Sequence, residues 1–186
     1  MKRPSAFEQA VFFVGKEGDG QMENITLIGM PGSGKSTVGV VLAKTLGFSF
    51  LDVDLVIQER QGKLLQTLLN ELGTEKFLDL EGATIRSLSP KSTVLAPGGS
   101  CVLRQDAMEH LKSLGKVVYL RLDLPALEGR IHNLTTRGIA FGPGQTLRDV
   151  YAQRAPLYAR YADVTVDADG QTLERTLAAV QAVLGR

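Results

Sequence analysis

"GMPGSGKST", residues 29–37, follows the apolar run "ITLI" at 25–28 and leads into "VGVVLAKTLG" at 38–47. The order is a short buried strand, a glycine-rich turn, and a helix with apolar residues at helical spacing that Gly47 stops. Gly29, Gly34, Lys35 and Ser36 match G-x-x-x-x-G-K-[ST], and a strand before with a helix after is the context that motif needs. Glycines let backbone N–H groups wrap closely around phosphates, and the new helix points its positive dipole end at the same place. Lys35 adds a cation for the β- and γ-phosphates, and the Ser36 hydroxyl suits a magnesium ligand. Pro31, Gly32, Ser33 and Thr37 complete the wrap and join the candidate nucleotide-binding residues. The plain alternative is an ordinary glycine turn, and the full match in the right context argues against it. The stretch predicts an ATP site with Mg2+.

Outward from the loop, "FSFLDVD", "STVLAPGG", "KVVYLRL" and "ADVTVDA" read as four more short strands, with helical patterns between them. Strands alternating with helices predict an α/β fold: a parallel sheet with helices on both faces. In "LDVD", Asp52 and Asp54 stand two apart on the expected strand, so both carboxylates should face one side of the sheet at its ligand-binding carboxyl end. One can hold magnesium through its water shell, and the other can orient an attacking hydroxyl. Helix capping is the competing role for such residues. "TTRGIAFGPGQT" lies between helical patterns and reads as a mobile loop.

Length and composition bound the rest. With 186 residues, 44% of them apolar, the chain has material for one compact domain. Basic residues number 21 against 20 acidic, so no global field draws in nucleic acid or anionic membrane, and small-molecule partners are expected. The lone Cys101 excludes an intramolecular disulfide and suits a cytoplasmic setting. At the start, "AVFFV" is too short for a signal-peptide core, and Glu8 interrupts the apolar stretch. Residues 1–21 are expected to form an extension, and residues 22–186 the domain.

The combination of "GMPGSGKST", the "DVD" pair, Glu75, Phe77 and Glu81 in "EKFLDLE", "PGGS" at 97–100, "TTR" ending at Arg137 and "QRAPLYARYAD" from Gln153 resembles the shikimate kinases. The resemblance runs from about Ile25 to the end of the chain. It implies a three-layer P-loop kinase fold with a five-stranded parallel sheet, a mobile lid at about residues 130–148, and ATP-dependent phosphorylation of the shikimate 3-hydroxyl in a monomer. It further implies that Ser36 binds magnesium and Asp52 holds it through water, while Asp54 contacts the acceptor hydroxyls. Gly98 and Gly99 would bring backbone close to the acceptor ring, and Arg154 would grip its carboxylate. Arg130 would lie against adenine, and Arg137 would close over the phosphates. Lys35, Asp54 and Arg137 would carry the chemistry, which needs positioning and charge neutralisation more than covalent steps.

Three positions depart from that family's pattern. Leu78 stands where the family has an arginine that shares the acceptor carboxylate, Ser100 replaces the third glycine, and "RGIAFGPGQ" replaces the usual lid sequence. A charge-assisted hydrogen bond contributes about 1.5–3 kcal/mol, so one lost arginine weakens carboxylate binding by about one to two orders of magnitude. Lys76 and Arg86 are poorly spaced to replace it, and Arg104 is a candidate without a sequence-defined place. Two other readings stay open: a kinase for a different hydroxylated acceptor, and a nucleotide-binding protein without catalysis. Cys101, His110, His132, Arg121, Arg148, Arg160, Tyr158 and Tyr161 receive structural or surface roles.

Overall fold

The computed structural model describes residues 23–130 and 144–185. Five strands, β1 Asn24–Ile28, β2 Ser49–Asp52, β3 Thr93–Ala96, β4 Gly115–Arg121 and β5 Val164–Asp167, pair in parallel in the order β2-β3-β1-β4-β5. The described helices are α1 Lys35–Leu46, α2 Val53–Gln61, α3 Leu65–Arg86, α4 Gln105–Leu114, α5 Leu124–Arg130, α6 Leu147–Tyr161 and α7 Leu173–Val183, with a short 3-10 turn at Cys101–Leu103. All five expected strands are present.

β1 lies at the centre, and every one of its residues is buried. Helices cover both faces, so a continuous apolar run replaces the alternation of a half-exposed strand. Side chains still alternate between two cores. Ile25 and Leu27 of β1, with Val118 and Leu120 of β4, pack against Leu42 of α1 and Val180 of α7. Ile28, Val117 and Tyr119 point the other way, toward Ile57 of α2, Phe77 and Ile85 of α3, Leu111 of α4 and Tyr158 of α6. α1 ends where expected: Gly47 is left-handed at φ 69, and the N–H of Phe48 reaches the Ala43 carbonyl at 2.9 Å.

One local expectation is corrected. β2 stops at Asp52, and Asp54 belongs to the first turn of α2 rather than to the strand. The cause is capping: the Asp52 side chain accepts from the Asp54 N–H at 3.0 Å, which starts the helix. α3 is helical on both sides of a kink, where Gly73, at φ 74 and ψ 168, breaks it into two segments. The break sets the direction of the second segment, which carries Phe77, Leu78 and Glu81. Arg137, His132 and the rest of 131–143 lie outside the described residues, as do residues 1–21. The borders of the expected lid region are α5, ending at Arg130, and α6, opened by a reciprocal Thr146–Asp149 capping box.

Candidate active site

β1 ends one residue before Gly29, and the chain turns through the glycine-rich loop into α1. Gly34 has φ 92, a left-handed conformation that glycine adopts without strain, and it delivers Lys35 as the first helical residue. The Lys35 side chain folds back across the loop, donating from Nζ to the carbonyls of Gly29 at 2.9 Å and Met30 at 3.1 Å. Burial lowers its pKa from the ordinary lysine value, and the carboxylates of Asp54, Asp52 and Glu81 and the Cys101 sulfur oppose that shift. Ser33 is buried within the loop, Pro31 and Gly32 are half-buried, and Thr37 is exposed.

The neighbouring strand brings Asp52 to this loop. In register Asp52 pairs with Ala96 of β3, so both strands end together at the carboxyl edge of the sheet. The Ser36 hydroxyl donates to Asp52 Oδ2 at 2.9 Å, while Asp52 Oδ1 caps α2. Asp52 therefore takes the capping role, and its second oxygen faces the Ser36 hydroxyl. Asp54, although on the helix, opens into the same cavity as Asp52. Burial first, and the Asp52 charge second, push its carboxyl up to about 6, with Lys35 pulling the other way.

A cavity of about 150 Å³ joins the two halves of the site. Pro31, Gly32, Lys35 and Ser36 line one side, and Asp52, Asp54, Phe77, Arg154 and the loop from Pro97 to Ser100 line the other. That loop comes close to its surroundings. A β-carbon on Gly98 would collide with Glu81 Oε1 and sit 2.9 Å from Asp54 Oδ1, and one on Gly99 would sit 2.7 Å from Pro31 Cδ. The Tyr158 hydroxyl donates to the Gly99 carbonyl and fixes the loop from below. Arg154, four residues earlier on the same face of α6, is 1% exposed and lines the cavity. Arg130 is exposed at the end of α5 and does not line the cavity.

Glu81 was only a family marker in the sequence, and the structure makes it part of the site. It lies one helical turn beyond Phe77, 1% exposed, behind Gly98. Burial raises its carboxyl to about 7; the Ser100 hydroxyl, Arg154 and Lys35 favour the charged form, and Asp54 opposes it. Its burial was legible only as a glutamate spaced four residues from an apolar helix position, a weak signal without the tertiary contacts.

Leu78 packs in the core, 2% exposed, and does not line the cavity. Arg104 is not its substitute. The Arg104 guanidinium spans Glu75 and Asp79 on the outer face of α3, at 2.9 Å from each carboxylate. Arg86 pairs with Asp106. Cys101 is fully buried, which drives its thiol pKa far up and removes any nucleophilic character. Tyr158 stacks on Tyr119 with ring centroids 5.2 Å apart, a packing role as expected. His110 differs from the surface role expected of it: it is half-buried, with Nε2 at 2.8 Å from the Leu88 carbonyl. Arg121 pairs with Asp167 across β4 and β5.

The donor set at Ser36 and Asp52 is hard oxygen, as magnesium prefers. Among the described residues no group of three or more His, Cys, Asp or Glu is placed to hold a metal. Among the described residues, no helix is long and apolar enough to cross a membrane.

Comparison with known proteins gives a consistent result. The family model "Shikimate kinase" matches residues 31–184. A shikimate kinase of Thermodesulfovibrio yellowstonii is 36% identical over 156 residues, covering 82% of this chain and 90% of the relative. One from Thiobacillus denitrificans is 39% identical over 154 residues, covering 81% and 84%. The solved structure of shikimate kinase from Acinetobacter baumannii in complex with shikimate superposes with a TM-score of 0.80 at 32% identity, covering 88% of this chain and 94% of that one.

Proposed function

The chain belongs to the shikimate kinase family, and on that premise we propose that it transfers the γ-phosphoryl group of ATP to a hydroxyl of shikimate, releasing ADP. The observation that carries this reading is the joining of the phosphate loop, Asp52, Asp54 and Arg154 in one cavity. Lys35 and the loop backbone hold the triphosphate, and Asp54 accepts a hydrogen bond from the acceptor hydroxyl and directs it at the terminal phosphorus. Gly98 and Gly99 admit the ring close to the backbone, and Arg154 holds the acceptor carboxylate by parallel hydrogen bonds. Ser36 and Asp52 would hold Mg2+, which when bound offsets the charge on the phosphates. Arg137 and Arg130 complete the nucleotide side in this proposal. The lone cysteine and balanced charge support a cytoplasmic enzyme, and we assign it as a monomer.

An ADP-release assay across shikimate, quinate, gluconate and nucleoside monophosphates tests the assignment. Shikimate is expected to have the highest kcat/KM; turnover of another acceptor in its place overturns it. A kinase for a different hydroxylated acceptor is the second reading, and the apolar Leu78 in the core is the observation that favours it.

A further inference from the structure

Beneath the cavity, Glu81 of α3, Ser100 of the loop after β3 and Arg154 of α6 form one buried group, each no more than 5% exposed. Ser100 and Arg154 line the cavity, whereas Glu81 lies behind Gly98 and reaches the cavity only through them. Glu81 Oε2 has no hydrogen-bond partner among the described residues, although it is fully buried. The other groups facing Glu81 are Asp54 from α2, Lys35 from α1, Cys101 from the 3-10 turn and Tyr158 from α6. Position 78, one turn before Glu81, holds leucine and supplies no charge.

These residues set a charge problem for an acceptor carboxylate. With Glu81 ionised, the Arg154 charge is already offset, and the Ser100 hydroxyl is turned toward Glu81 as a donor. A second carboxylate entering then meets like charge at low dielectric, which disfavours both groups being ionised. With a proton on Glu81, the polarity reverses: the acid O–H donates to Ser100 Oγ, and the Ser100 O–H turns to the cavity. Arg154 then no longer shares its charge with Glu81.

We infer that Glu81 is a positioning residue that takes up a proton from solvent when the acceptor binds, so that Ser100 joins Arg154 in holding the acceptor carboxylate. The inference rests on the proposed carboxylate-bearing acceptor. Its direction follows from the position of Glu81: burial already holds its carboxyl at about 7, and an arriving anion raises it further. Binding is strongest below pH 7 and weakens above it, by up to about tenfold per pH unit for one linked proton.

The test is calorimetric titration of shikimate into the full chain in two buffers of different ionisation enthalpy between pH 5.5 and 8.5, with KM and kcat measured separately. Above pH 7 the natural chain should take up close to one proton per shikimate bound, by the same linkage. Glu81→Gln, whose amide donates to Ser100 permanently, should bind without proton uptake and with a KM independent of pH. Ser100→Ala should weaken binding about threefold to tenfold below pH 6 and little above pH 8, because only a lost neutral hydrogen bond is removed. Binding without proton uptake in the natural chain overturns the inference while leaving the acceptor assignment intact. No binding of shikimate at any pH, in the natural chain or in either variant, overturns both. The measurement on the natural chain decides the matter even if a variant does not fold.

Discussion

Lys35 and Leu78 mark the two ends of the site at the scale of single residues. Lys35 is nearly buried, and its ammonium rests on the loop's own carbonyls, a position from which a short swing reaches a phosphate. Lys35→Met keeps the volume and removes the charge. Its kcat should fall by at least about a thousandfold, in line with the loss of one principal charge on a transferring phosphoryl group. Retention of full activity in the ADP-release assay would refute the loop's role. At the other end, Leu78→Arg places a cation one turn from Glu81. A guanidinium there would neutralise an ionised Glu81, so the acceptor carboxylate would no longer meet net like charge; the loss of binding above pH 7 should disappear, and KM at pH 8 should drop about tenfold or more. An unchanged KM profile would show that position 78 cannot reach the site from the core.

At the scale of elements, close approach dictates which residues are small. Gly39 sits inside α1, where glycine weakens a helix by about 1 kcal/mol relative to alanine. Its reason is tertiary: a β-carbon there would lie 2.6 Å from Phe50 Cε2, where α1 crosses β2. Gly39→Ala should therefore destabilise by about 1–3 kcal/mol despite better helix propensity, read from urea unfolding. A gain in stability would mean that Phe50 can move aside freely. The same logic explains α3. Gly73 interrupts it and lets the second segment lay Phe77 against the cavity and Glu81 behind the Gly98 loop. Within residues 64–88 Gly73 is the local sign of that break in the sequence.

The whole molecule should show the site in its pH dependence of stability. Glu81 has an ordinary value of 4.5 and a folded value raised to about 7, so the folded state binds the proton more tightly than the unfolded chain. Its contribution is fully present below about 4.5 and is lost as pH rises toward 7. Without ligand, unfolding free energy should therefore decline across that window, and Glu81→Gln should flatten the decline in urea titrations at pH 4.5, 6 and 7.5. An identical slope in both proteins would contradict the buried, protonated carboxyl. ATP with shikimate should add about 2.7 kcal/mol when present at a hundred times the dissociation constant.

The residue string by itself determined the phosphate loop, the five strands, the covered parallel sheet and the end of α1 at Gly47. These features depend on local spacing, on backbone conformations that glycine favours and on uninterrupted apolar runs, all of which are written within a few neighbouring positions. Tertiary packing alone decided that Arg104 is occupied by Glu75 and Asp79 and that Glu81 is a buried member of the site. Each of those outcomes depends on what faces a side chain from an element distant in the chain, because burial and opposing charge, not residue type, set whether a carboxylate or guanidinium is spent on structure or available to a ligand.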